Sequence, residues 1–132
     1  MSLIQKGEVT NMILKKLGYY KELSYGDASD PSIMDHIHHK IENKKELCNY
    51  LRSGHILAAC GGVVHDVINP DKGIIGSPDT FTDGTWIWQA DLSYYVEEYD
   101  LDLGKDFIDH IKSLEWHVPQ DIDIDYDNIE VI

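Results

Sequence analysis

The spacing of the apolar residues changes period three times along this chain, and each change narrows what it can fold into. Val9, Met12, Ile13, Leu17 and Tyr20 recur at intervals of three and four, and Gly18 stands where such a helix stops. The spacing predicts a first helix there. Asp30-Pro31 is an N-cap residue followed by proline at a first helical position. Ile33, Met34, Ile37, Ile41, Cys48 and Leu51 then carry one stripe, either on one helix to about Arg52 or on two broken near Asn43, with Gly54 as the stop. From His55 the helical period is lost. Two apolar runs, 55–60 and 63–68, flank Gly61-Gly62, which reads as a tight β-hairpin or as one strand bent by a glycine bulge. Ile74-Ile75 makes a short strand, and Thr85-Trp86-Ile87-Trp88 alternates with both tryptophans on one face.

Helical spacing returns in Leu92, Tyr95, Val96 and Tyr99, and again in Phe107, Ile108, Ile111 and Leu114. Last, Asp121-Ile-Asp-Ile-Asp-Tyr-Asp127 alternates strictly, which predicts a terminal strand with Ile122, Ile124 and Tyr126 inward and four aspartates outward. Helices, then short strands, then helices, with no internal repeat, point to an α+β fold. It is expected to have N-terminal helices, a small antiparallel sheet, two C-terminal helices and a terminal strand at one edge. The length of 132 residues fits a single domain over 1–132.

Charge is distributed as unevenly as the periods. Residues 1–90 hold 11 acidic and 9 basic side chains, a net of −2, while residues 91–132 hold 13 acidic ones against Lys105 and Lys112, a net of −11. A total of −13 repels nucleic acid and anionic membrane surfaces. No apolar run approaches the ~20 residues of a membrane span. No signal peptide is evident before Gly18, and Cys48 and Cys60 are too few for a disulfide framework, which implies a reducing cytoplasm. The acidic third either keeps the chain soluble or forms a negative face that steers a basic partner.

The aspartate ladder sharpens that choice. Asp121, Asp123 and Asp125 match the one-three-five spacing of a calcium loop, but Tyr126 stands where glycine is needed and Ile132 where glutamate is needed. The ladder is then an edge strand guarded by charge, or a binding face for lysines and arginines. On the second alternative Asp121, Asp123, Asp125 and Asp127, with Glu97, Glu98, Asp100 and Asp102, act as salt-bridge acceptors around a central aromatic, Trp88. Tryptophans on a sheet face most often pack beneath a helix, however, and the following helix with Tyr95 and Tyr99 is the expected cover for Trp86 and Trp88. A terminal strand also leaves open pairing between two copies of the chain.

Other constellations carry less chemistry. His36 and His39 share a helix face while His38 does not, so a zinc site needs Asp35, Cys48 or His110 as well. Cys60, His65 and Asp66 mimic nucleophile, base and orienter. Yet His65 and Asp66 point to opposite faces of a strand, and Cys60 reads as a small buried hydrophobe. Glu97 and Glu98 are adjacent on a helix and do not converge for acid–base work. No catalytic residue, metal site or cofactor is assigned. A small metal-dependent or cysteine–histidine hydrolase remains the alternative, and it requires three of these groups in one pocket.

The stretch Thr82-Asp-Gly-Thr-Trp-Ile-Trp88, then Asp91-Leu-Ser-Tyr-Tyr-Val-Glu97-Glu-Tyr99 and Phe107-Ile108, resembles a bacterial family of small proteins. That family is itself similar to the immunity proteins of polymorphic toxin systems. The likeness runs over about 54–111 and leaves out both the N-terminal region and the aspartate ladder. What it implies is a cytoplasmic, non-catalytic protein that binds and neutralises a basic partner such as a toxin. It implies no catalytic residue.

Overall fold

The computed structural model describes residues 11–132. Its elements are strand β1 (Met12–Lys16), helix α1 (Lys44–Arg52), strands β2 (His55–Ala58), β3 (Val64–His65), β4 (Ile74–Gly76), β5 (Thr80–Thr82) and β6 (Trp86–Gln89), helices α2 (Leu92–Tyr99) and α3 (Lys105–Ser113), and strand β7 (Ile129–Val131). Five strands form one sheet in the order β2-β5-β6-β1-β7, and β3 pairs with β4 in a second, two-stranded sheet. The fold is α+β, but its arrangement departs from the expected one in four places.

Residues 12–16 are a strand, not a helix. β1 runs parallel to β6 on one side and to β7 on the other, so its backbone groups are paired across the chain rather than along it. Leu14 is buried between exposed Ile13 and Lys15, the period of a strand. Apolar residues at intervals of three and four fix helix only when no neighbouring strand competes for the backbone. Val9, which that reading used, lies outside the described residues. The parallel pairs also make the main sheet mixed rather than antiparallel.

Gly61-Gly62 closes no hairpin, because β2 pairs with β5 and β3 with β4. Residues 59–63 form an exposed connection instead. The stripe over 33–51 breaks at Asn43, which takes a left-handed conformation at φ 55° before α1. Its first part is only a 3₁₀ turn, Ile33–Asp35, capped by the Ser32 hydroxyl. The last departure concerns the aspartate ladder, which forms no strand: residues 121–125 carry no regular structure and Tyr126 and Asp127 lie in a turn. The terminal strand begins only at Ile129 and lies at the sheet edge beside β1.

The core joins α1, β6, α2 and α3. Trp86 and Trp88 both reach Phe107 on α3, with ring centres 5.5 and 6.0 Å apart, as alternation along β6 requires. Trp88 is wholly buried and donates its indole N–H to Leu51 O at 3.0 Å. Truncating a side chain of this size costs about 3–5 kcal/mol. Gly54, between α1 and β2, lies so close to the sheet that a Cβ would stand 2.8 Å from the Trp88 ring and 2.9 Å from Phe81 Cβ.

Three buried aspartates hold the irregular segments. Asp83 accepts from the Thr85 and Trp86 amides in the β5–β6 turn and from the Tyr50 hydroxyl, and it pairs with His110 Nε2 at 3.0 Å. Asp66 accepts from the Tyr94 and Tyr99 hydroxyls, both at 2.6 Å, and from the Ile68 and Asn69 amides. Asp91 accepts from the Tyr25 hydroxyl at 2.6 Å. The amide bonds fix the turns locally, while the tyrosine hydroxyls and His110 tie those segments to α1, α2 and α3.

Candidate binding surface

The acidic segment is placed by contacts along its length. Just past α3 come two residues of positive φ, Glu115 at 53° and Trp116 at 62°, and the Trp116 amide returns to Ile111 O. The chain then runs past β2, where His55 Nε2 lies 2.7 Å from Pro119 O. Ile122 crosses the β5–β6 turn at Gly84, whose φ is +96° and where a Cβ would meet the Ile122 side chain at 3.2 Å. The Tyr126 hydroxyl then faces Ile56 O at 3.4 Å.

A turn follows at 125–128. The Asp125 carboxylate accepts from the Asp127 amide at 3.2 Å and from Asn128 Nδ2 at 2.9 Å, and Asn128 O receives the Met12 amide as β7 begins. This aspartate-centred turn explains why the alternation is not a ladder. The inward–outward pattern holds through Ile124 and then fails at Tyr126.

Tyr126 was expected inward and is 61% exposed instead. Beside it Ile56 is 56% exposed. Asp121, Asp123, Asp125 and Asp127, on the same segment as Tyr126, are all exposed. Among the described residues, no Lys, Arg or His nitrogen pairs with any of the four carboxylates.

The other half of the expected acidic face behaves differently. Glu97 meets Arg52 at 2.6 Å, Asp100 meets Lys44 at 2.6 Å, and Glu98 meets Lys72 at 3.4 Å. Lys44 also donates to Glu97 O, and its hydrogen bond to Asp100 leads the causes that raise its pKa. Asp102 lies 3.7 Å from His39 Nδ1 and accepts the Gly104 amide. The eight carboxylates therefore divide into four engaged by the chain's own cations or imidazole and four that are not. Trp88 belongs to neither group, since a side chain at 0% exposure offers a partner no surface. Tyr126 is the aromatic on the segment whose carboxylates pair with no described cation.

The residues of the alternative chemistry do not converge. Cys60 is exposed, not buried, and its amide is held by Asp79 Oδ1 at 3.1 Å. His65 is exposed while Asp66 is buried, with both carboxylate oxygens already accepting from tyrosines and amides. Burial acts to raise the Asp66 pKa, but the two hydroxyls and two amides outweigh it and hold the carboxyl below its ordinary value. His36 packs beside Tyr20, and His110 on α3 is turned towards Asp83 in the β5–β6 turn. Among the described residues, no group of three His, Cys, Asp or Glu side chains is arranged to hold a metal ion. No described helix is long and apolar enough to cross a membrane.

Sequence reasoning missed Tyr126 and Ile56 as surface residues. The signal for Tyr126 was the run Asp125-Tyr-Asp-Asn128, whose composition favours a turn over a strand. In comparisons with known protein families, curated proteins and solved structures, nothing matches this chain.

Proposed function

We propose that this chain is a non-catalytic acidic binding protein of the immunity or inhibitor type, which takes a basic partner protein, such as a toxin, against residues 121–127. One observation carries the proposal. Four exposed carboxylates, unpaired by any described cation of the chain, lie on the same short segment as exposed Tyr126, whose hydroxyl faces Ile56 O. Four like charges on neighbouring residues repel one another, and a cationic partner relieves that repulsion when it binds. An exposed tyrosine among them supplies the large, rigid contact area that anchors protein interfaces. The resemblance of 54–111 to immunity-type proteins agrees in direction but names no residue in this surface.

The experiment is capture from a lysate of the source organism at low and at high salt. The expected result is one cationic protein, held with nanomolar affinity and associating faster as salt is lowered. Recovery of only neutral or acidic proteins, or binding indifferent to salt, would overturn the proposal.

A further inference from the structure

The sheet has two edges, and they differ in how they are guarded. β7 carries Glu130 and pairs on its inner side with β1. β2, at the opposite edge, continues into a stretch from Ile56 to Val64 that contains no charged residue, and positions 58–63 are all exposed. Natural sheets blunt their free edges with lysine, proline or a covering segment, because unpaired N–H and C=O groups recruit other strands. β2 itself carries neither lysine nor proline, and its one irregularity is a register shift between Ile56 and Ala58. Against it stands the Tyr126 hydroxyl at 3.4 Å from Ile56 O, longer than an ordinary O–H···O bond. That contact leaves the Ile56 carbonyl within reach of a donor from outside the β2–β5 pair.

We propose that the outer edge of β2 is a strand-docking edge, on which an extended basic segment of the partner protein adds as a sixth strand with its cationic side chains among Asp121, Asp123, Asp125 and Asp127. This rests on the proposed function and specifies how the partner is held. Backbone pairing supplies affinity without demanding a sequence, and flanking charge supplies selection and direction. The acidic segment is positioned for the second task because it touches β2 at both ends, through Pro119 on His55 and Tyr126 on Ile56. The incoming strand displaces the Tyr126 hydroxyl from Ile56 O and replaces a weak contact with a backbone hydrogen bond.

The test uses the full chain and two synthetic peptides, Lys-Thr-Lys-Val-Lys-Thr-Lys and the same peptide N-methylated at its threonines and valine. Both carry the same charge, but the second lacks the donors of one strand edge. The expected result is slowed amide exchange at 56–58 with the first peptide and binding ~10-fold weaker with the second. Equal affinity of the two peptides, with exchange at 56–58 unchanged, overturns strand docking and leaves the basic-partner proposal standing. Failure of both peptides to bind at low salt overturns both.

Discussion

Two acidic regions of similar composition meet opposite fates in this molecule. Around α2, Glu97, Glu98 and Asp100 each find a lysine or arginine brought from α1 or from the turn before β4. In 121–127, four aspartates lie exposed and no described cation pairs with them. The contrast teaches that net charge along a sequence is a poor guide to potential on a surface. Helix packing delivers Lys44 and Arg52 to the end of α2, so charge there is internally balanced. The acidic segment packs against His55, Gly84 and Ile56, which offer it no lysine or arginine.

The largest expected effect follows from breaking this contrast directly. Replacing all four aspartates of the segment with asparagine (D121N, D123N, D125N and D127N) should weaken binding of the lysine–threonine peptide by ~100-fold at low ionic strength. Asparagine at 125 still accepts hydrogen bonds, so the turn is preserved. The double variant E97Q and E98Q removes two charges as well, but from pairs already balanced, and should change the affinity less than ~3-fold. Calorimetric titration of the three proteins decides it. A drop of similar size in both variants would mean that the two regions act as one field.

Much of this architecture was legible beforehand where a single local rule operated. Trp86 and Trp88 share a face because β6 alternates, and α2 and α3 follow their apolar spacing with Gly104 between them. What was not legible depended on partners distant in sequence. Residues 12–16 become strand because β6 and β7 flank them, more than 70 residues downstream. The glycine pair at 61–62 looked like a hairpin turn only while β5 and β4, the true partners of β2 and β3, were out of view. At the candidate surface the four aspartates were legible as exposed, since alternation alone places them outward. The division of the acidic face was not, because no local pattern says which lysine will arrive beside which glutamate.

The second effect compares two buried carboxyls that flank α2. Asp66 is held below its ordinary pKa, whereas burial pushes Asp91 up against the opposing pull of the Tyr25 hydroxyl. A depressed carboxyl contributes stability that is present above its unfolded value of ~3.9 and is lost as pH falls through its folded one. A raised carboxyl does the reverse, and its contribution is lost as pH rises from ~3.9 through the folded value. Asp66→Asn should therefore cost about 2 kcal/mol at neutral pH, because the amide group meets donors already in place. That cost should shrink below about pH 4. Asp91→Asn keeps an acceptor for Tyr25 and removes a buried charge, so its cost should be smaller at neutral pH than in acid. Denaturant unfolding of both variants at pH 3 and pH 7 checks the two slopes, and parallel slopes would refute the opposite environments.

The smallest effect lies in the paired region itself. Arg52 and Glu97 are both about half exposed, with side-chain exposures of 51% and 52%, so water screens most of their attraction. Arg52→Gln should lower stability by no more than about 0.5 kcal/mol, and the loss should vanish in high salt. Added salt should act the other way on the unpaired segment, where it damps repulsion among the four aspartates and raises the melting temperature. In the variant lacking those four charges this salt-induced rise should be reduced, while in the Arg52 variant it should be retained or enlarged. Thermal melts across an ionic-strength series separate the two regions. An unchanged salt response after removing the four aspartates would show that they do not strain one another, and the relief offered by a cationic partner would lose its physical basis.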